Sequence, residues 1–205
     1  MLPFNADSQP MNGGTLEAFT RSSFYQGLLG NAFAAMPPAL FQRCPTLVSN
    51  GSTVKVLRSV TFGTDGFPNS GLWKQSFPVS GCGNDTTLNL YFYATANEKI
   101  NTIIGVPGNT ISDLRLQRDA IFYAKMTARA LLKDCGSLVP TNSAFIGYGL
   151  LNPAAPDPGP ASLFRPWRED WTLVGCGHKV NEIVDFVPQQ AGTAIIVPLG
   201  NATEQ

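Results

Sequence analysis

Charged residues are scarce in this sequence. They make up 14% of its 205 residues, compared with about 25% in an average soluble domain. The 14 basic and 14 acidic residues cancel, and neither sign gathers into a run. A neutral chain of this kind lacks the excess of cations that nucleic acids or anionic membranes attract, so neither is expected as a partner.

Long apolar runs are also missing. No stretch approaches the roughly 20 apolar residues that a membrane-spanning helix needs, so no membrane insertion is expected. The first residues, MLPFNADSQPMNGG, contain neither a basic region nor a long apolar segment, which is not the pattern of an intact signal peptide. Residues 1–13 are interpreted as an N-terminal extension, left after a signal peptide has been removed.

The motifs of common enzymes are absent too. The sequence has no G-x-S-x-G nucleophile elbow and no glycine-rich phosphate-binding motif. Glu169 and Asp170 are adjacent and point to opposite faces of a strand, and Glu182 and Asp185 also diverge, so neither makes the facing carboxylate pair of a glycosidase. With one histidine and no C-x-x-C spacing, no metal and no cofactor is predicted.

What the sequence does contain is an internal repeat. Residues 73–83, WKQSFPVSGCG, match residues 167–177, WREDWTLVGCG, at an offset of 94 (167 − 73). Upstream, ALFQRCPTLVSN resembles ALLKDCGSLVPTN, which places Cys44 on Cys135 at an offset of 91 (135 − 44). The second copy therefore has three more residues (94 − 91) between its first cysteine and its tryptophan, which fits the proline-rich loop at 152–162. Several collinear matches indicate a duplication.

Each copy has the same expected order of elements. Apolar spacing predicts a helix over about 15–35 in the first copy and one over 111–134, with Ser112 as a possible N-cap, in the second. Alternating apolar residues predict four strands after each helix. The expected strands are 54–62, 73–79, 87–94 and 99–105 in the first copy, and 144–150, 168–174, 179–187 and 193–198 in the second.

This order favours an α+β fold with antiparallel sheets, one helix packed on each sheet, and a pseudo-two-fold relation between the copies. The expected repeat units are 14–106 and 107–200, followed by a tail at 201–205. This order of elements resembles that of a cystatin-like unit. The resemblance implies no inhibitory function, because the Gln-x-Val-x-Gly hairpin of cystatin inhibitors is absent.

The four cysteines occupy equivalent positions in the two copies. Two disulfides, Cys44–Cys82 and Cys135–Cys176, would each stay within one copy and tie the end of its helix to the following G-C-G turn. The other two pairings are also compatible with the repeat, and buried free thiols are the alternative. Disulfides indicate an oxidising compartment, here the periplasm or the extracellular space.

Candidate ligand-binding residues lie around the second phrase. Trp167 and Trp171 share one strand face, where they either pack in the core or offer a platform for a sugar or peptide. Arg165 is either a charged contact beside that platform or a solvated loop residue. His178, the sole histidine, is either a surface residue or a general base beside a carboxylate such as Glu182.

Three functions remain as hypotheses. The first is a secreted or periplasmic, non-enzymatic binding or accessory module that recognises a protein or an envelope component. The second is a hydrolase whose site forms only in three dimensions around His178. The third is a structural subunit that assembles through exposed strand edges.

Overall fold

The computed structural model describes most of the chain. The described residues are 14–40, 48–81, 85–95, 99–133, 135–149, 165–189 and 191–198, with the backbone of 203–204. The predictions that concern Cys44, Cys82, the N-terminal extension and the proline-rich loop at 152–162 lie outside these residues.

The chain forms two compact units. The first takes its described residues from Met1–Met36, Ser49–Pro78 and Asn89–Gly105, and the second from Pro37–Val48, Val79–Leu88 and Val106–Gln205. The proposed boundaries of the two repeat copies, at 14–106 and 107–200, stay predictions.

Two helices stand where the sequence predicted one over 15–35. The hydroxyl of Thr15 accepts a hydrogen bond from the Ala18 amide and starts the first helix, and the hydroxyl of Ser22 accepts one from the Tyr25 amide and starts the second. These N-caps satisfy backbone donors that a helix leaves free at its start, so Ser22 divides the segment. The elements that follow in the chain are a 3-10 turn and five strands. The bounds are α1 (Leu16–Thr20), α2 (Ser23–Ala34), the 3-10 turn (Pro38–Leu40), β1 (Val48–Ser49), β2 (Thr53–Phe62), β3 (Pro68–Ser80), β4 (Thr86–Thr95) and β5 (Lys99–Ile104).

The rest of the chain has one long helix and five strands. The helix begins after Asp113, whose carboxylate accepts a hydrogen bond from the Leu116 amide. Ser112, the N-cap expected from the sequence, is not the cap, because its hydroxyl donates to Glu169 instead. The bounds are α3 (Leu114–Leu131), β6 (Val139–Tyr148), β7 (Trp167–Gly175), β8 (His178–Gln189), β9 (Gly192–Ile196) and β10 (Thr203–Glu204).

The strands form two sheets. The first has the order β1-β3-β4-β5, with β2 also paired to β3, and the second has the order β10-β8-β7-β6, with β9 also paired to β8. The pairs β2–β3, β4–β5, β6–β7, β7–β8 and β8–β9 are antiparallel. The expected α+β class and its antiparallel sheets are confirmed, and each of the eight expected strands overlaps an observed one.

The core of the first unit is aromatic. Trp73 on β3 is fully buried, and its ring stacks on Phe92 of β4 with the centroids 5.6 Å apart. The Trp73 indole N–H donates to the Tyr25 hydroxyl at 3.2 Å, and that hydroxyl donates to the Gln75 side-chain oxygen at 2.7 Å. Burial raises the pKa of Tyr25, so the phenol stays protonated and keeps this donor.

The core of the second unit combines small helical residues with larger strand residues. Ala120, Ala124 and Ala128 recur every four residues on α3 and are all fully buried, so they lie on one side of the helix. They share a hydrophobic cluster with Trp171 and Leu173 of β7 and with residues of β8. None of the helices in the described ranges has the length and apolar character needed to cross a membrane.

A disulfide closes the far end of the β7–β8 hairpin. Cys135, just after α3, bonds to Cys176, and their Cα atoms are 5.8 Å apart. Cys176 and Gly177 have positive φ angles of 52° and 81° between the paired residues Gly175 and His178, which is the pattern of a type I′ turn. A Cβ on Gly175 would lie 2.3 Å from the Ser137 carbonyl oxygen, so this position needs glycine. The expected Cys135–Cys176 bridge is confirmed.

Candidate functional sites in the second unit

The three predicted ligand-binding residues lie at two separate places. Arg165 is exposed and precedes β7, whose first residue is the half-buried Trp167. The Trp167 ring stacks on Phe186 with the centroids 4.8 Å apart. His178 lies at the opposite end of the hairpin, where it pairs with Gly175. At about 3.3 Å per residue, β7 separates the two ends by roughly 26 Å. Arg165 and Trp167 are neighbours, and His178 is remote from both.

The suggested pairing of His178 with Glu182 is not assembled in this geometry. Both residues belong to β8 and, four apart, share one face of the sheet. An extended strand nevertheless places them about 13 Å apart, well beyond hydrogen-bond distance. A general base at His178 would therefore need another carboxylate as its partner.

Glu169, considered from the sequence only as a partner of Asp170, organises the inner face of the second sheet. Glu169 is fully buried on β7 between Trp167 and Trp171. Its Oε1 accepts hydrogen bonds from the Trp167 indole at 3.0 Å, the Ser112 hydroxyl at 3.1 Å and the Ile111 amide at 3.1 Å. Its Oε2 accepts one from the Trp171 indole at 2.8 Å. Four donors compensate the cost of burying this group.

A second buried carboxyl group lies beside it without such compensation. Glu182 on β8 pairs directly with Trp171 and is fully buried. Neither of its oxygens has a hydrogen-bond partner among the described residues. Burial raises the pKa of Glu182 to about 7, because the surroundings disfavour the charged form. This group can therefore gain or lose a proton close to neutral pH.

Glu169 and Glu182 are diagonal neighbours on one sheet face. The register pairs Glu169 with Val184 and Trp171 with Glu182, and diagonal neighbours in an antiparallel pair have Cα atoms about 7–8 Å apart. The two acidic pairs considered from the sequence do diverge. Asp185 accepts two hydrogen bonds from Arg168, at 2.5 and 2.7 Å, while Glu182 is held on the other face.

The outward face of α3 exposes three large apolar side chains, Phe122, Tyr123 and Met126. The exposed fractions are 60% for Phe122, 47% for Tyr123 and 55% for Met126. The Phe122 and Tyr123 rings meet edge to face with their centroids 5.5 Å apart. Beside them is an open concavity of about 390 Å³. Its lining residues are Asp119, Phe122, Tyr123, Thr193, Ala194 and Ile195. We call this surface the α3 face. It also includes the exposed arginines of the helix, Arg115, Arg118 and Arg129.

Known proteins give no further guide to these features: no family model, curated protein or solved structure matches the chain. In the described ranges, His, Cys, Asp and Glu side chains do not gather in a group of three that would hold a metal ion. The α3 face and the buried pair Glu169 and Glu182 are therefore the features from which a function can be inferred.

Proposed function

We propose that this protein is a non-enzymatic binding module of the periplasm or the extracellular space, and that its partner docks on the α3 face. The observation that carries the proposal is the exposure of Phe122 and Met126, at 60% and 55%, beside an open concavity. Large contiguous apolar groups are rarely left in water on a monomer unless they mark an interaction site.

The composition of the α3 face also fits an interface. Phe122, Tyr123 and Met126 are exposed there together with Arg115 and Arg118. Aromatic residues, methionine and arginine are enriched at protein–protein interfaces relative to the remaining surface. An open concavity beside such residues offers a place for one inserted side chain, which is the usual form of an energetic hot spot.

The scaffold of the proposed module is a duplicated helix-plus-four-strand unit, and strand register supports this. Val54 of β2 pairs with Gln75 of β3, and Phe145 of β6 pairs with Glu169 of β7. The first members differ by 91 (145 − 54) and the second by 94 (169 − 75), the same two offsets as in the sequence matches. The stacked pair Trp73–Phe92 also recurs as Trp167–Phe186.

The Cys135–Cys176 bridge supports the proposed compartment. Disulfides persist where the surroundings are oxidising and are rare in the reducing cytosol. The bridge spans 41 residues and ties the segment after α3 to the β7–β8 turn. It therefore restrains the helix that carries the proposed docking surface.

An unbiased peptide selection tests the binding function. Random peptides displayed on phage would be selected against immobilised wild-type protein and then measured against Phe122→Ala. We expect enriched peptides whose binding is lost in that variant. Tyr148→Ala is the matched control, because Tyr148 is 61% exposed and meets Phe145 edge to face at 5.1 Å. Peptides that bind Phe122→Ala as well as wild type would refute docking on the α3 face.

A hydrolase is the second candidate, favoured by Glu182. Its pKa of about 7 suits a general acid or base at neutral pH, and Glu169 lies diagonally across the same strand pair. Both carboxyl groups are fully buried, so a substrate would reach them only after the core opens. Hydrolysis of chromogenic esters or glycosides that disappears in Glu182→Gln would favour this function over the binding module.

Assembly through strand edges is the third candidate. β2 pairs with β3 on one side and exposes Val54, Val56 and Leu57, by 42%, 50% and 43%. An exposed apolar edge strand is a template for pairing with another chain. Sedimentation velocity would detect a concentration-dependent dimer, and Val56→Lys would abolish it. A monomer at all concentrations would remove this candidate.

A further inference from the structure

We infer that the partner of the α3 face is an acidic polypeptide segment that inserts one large apolar side chain into the concavity. The inference rests on the proposed binding function and goes on to specify the chemistry of the partner. Two independent features of the surface carry it: the placement of positive charge along α3, and the shape and lining of the concavity.

Positive charge is concentrated on the outward side of α3. The helix contains four cations and one acid. A helix turns about 100° per residue, so the four cations fall within the same sector as Phe122 and Met126. These cations are Arg115, Arg118, Lys125 and Arg129. Because the whole chain has no net charge, this excess is a local feature that attracts an anionic partner.

The neighbourhood leaves most of this charge available. Asp119 pairs with Arg118 at 3.1 Å, and the side chains of Arg118 and Asp119 are 76% and 40% exposed. Ion pairs this exposed contribute little to stability. Burial lowers the pKa of Lys125, and repulsion from Arg129 lowers it further. Cations close enough to repel one another are stabilised when an anion binds between them.

The concavity supplies the place for an apolar anchor. Phe122 and Tyr123 form one wall, and the strand residues Thr193, Ala194 and Ile195 form another. Ile195 also packs against the core of the unit, so this wall is supported from beneath. An inserted leucine, methionine or aromatic side chain would contact both rings while acidic residues beside it reach the arginines.

The same details favour a polypeptide over a lipid surface. A flat bilayer would cover the helix without filling the concavity between α3 and the strand residues 193–195. Three of the four cations are arginines, whose planar guanidinium binds a carboxylate through two parallel hydrogen bonds. An acidic segment with an apolar anchor would use both the arginines and the concavity.

The test extends the peptide selection to sequence and charge. We expect the enriched peptides to carry aspartate or glutamate on both sides of one large apolar residue. A synthetic peptide of the enriched sequence should bind Arg115→Gln/Arg118→Gln about five- to tenfold more weakly, as the loss of two partly exposed ion pairs predicts. Added salt should weaken binding to the wild type more than to this variant.

A matched control separates local charge from net charge. Arg21→Gln/Arg58→Gln removes two exposed arginines of the first unit and lowers the net charge equally, and it should bind the peptide like wild type. If the selected peptides are neutral or basic and still require Phe122, the inference of an acidic partner is wrong, whereas the proposed binding function is retained. No Phe122-dependent peptide at all would remove both. Sedimentation with phosphatidylglycerol vesicles but not with phosphatidylcholine vesicles, in the absence of peptide binding, would replace the polypeptide by a lipid surface.

Discussion

Trp171 and Glu182 face each other across the β7–β8 pair, yet their side chains are not hydrogen-bonded to each other. The Trp171 indole N–H donates to Glu169 at 2.8 Å, two residues back along the same strand. Glu182 is left fully buried, and no donor from the part of the chain that the structure describes reaches its side chain. One carboxyl group of the core is therefore compensated by four hydrogen bonds, and its diagonal neighbour by none from the described ranges.

The uncompensated carboxyl group makes stability depend on pH. The pKa of Glu182 rises from 4.5 to about 7 on folding, so between these values the folded state binds more protons than the unfolded state. The contribution of Glu182 to the free energy of unfolding therefore falls as pH rises from about 4.5 to 7 and levels off above. The total fall is on the order of 3 kcal/mol at most. Urea unfolding from pH 5 to pH 8 measures it.

Glu182→Gln provides the control for that slope. Glutamine keeps the shape of the side chain but cannot ionise. The free energy of unfolding of the variant should therefore fall less between pH 5 and 7, and the variant should become more stable relative to wild type as pH rises. Asp170, whose pKa burial also raises, remains in both proteins and cancels in the difference. Identical slopes in the two proteins would show that Glu182 is hydrated or paired in solution.

The same substitution at Glu169 should act in the opposite direction. Glu169→Gln replaces an oxygen that accepts hydrogen bonds by an amide N–H₂ that meets donors from Trp167, Trp171 or Ser112. Leaving buried donors unsatisfied costs about 1–3 kcal/mol each. At pH 8 we expect Glu169→Gln to unfold at a lower urea concentration than wild type and Glu182→Gln at a higher one. A neutral effect at Glu169 would mean that its four hydrogen bonds are replaced by water in the variant.

The sequence predicted the strands well because each alternates apolar and polar residues on a half-buried sheet. It did not identify the buried pair Glu169 and Glu182, because the residues compared were neighbours within one strand. Their proximity depends on the register between β7 and β8. The sequence could have supplied that register. A two-residue turn at Cys176 and Gly177 pairs Gly175 with His178, and four residues further from the turn on each strand it pairs Trp171 with Glu182.

The charge on α3 was missed for a different reason. The net charge is zero, and from this the sequence predicted no attraction to nucleic acids or anionic membranes. Runs along a sequence do not reveal clusters on a helix, whose faces repeat every 3.6 residues. Arg118, Lys125 and Arg129 are well separated in sequence and adjacent in angle. The concavity beside them depends on where β9 lies, which no local pattern specifies.

The Cys135–Cys176 bridge should make a large contribution to stability. It closes a span of 41 residues, for which the chain-entropy model gives on the order of 4 kcal/mol. Cys135→Ala/Cys176→Ala should therefore unfold at a much lower urea concentration than wild type. The double variant isolates this bridge, whereas a reductant would act on all four cysteines. Mass spectrometry without reductant should find a peptide that links Cys135 to Cys176, and free thiols at both positions would contradict the assignment to an oxidising compartment.

Trp73 and Trp167 begin the two copies of the repeated phrase but differ in burial, which predicts different losses of stability. Trp73 is fully enclosed and donates to Tyr25, so Trp73→Ala should cost about 3–5 kcal/mol. Trp167 is half-buried, stacks on Phe186 and shares Glu169 with three other donors, so Trp167→Ala should cost about 1–2 kcal/mol. Thermal unfolding of both variants measures the difference. If Trp167→Ala melts like wild type but no longer binds peptides selected on the wild-type protein, Trp167 acts as a ligand platform, as one interpretation of the sequence holds. A loss in melting temperature with binding retained assigns it to the core.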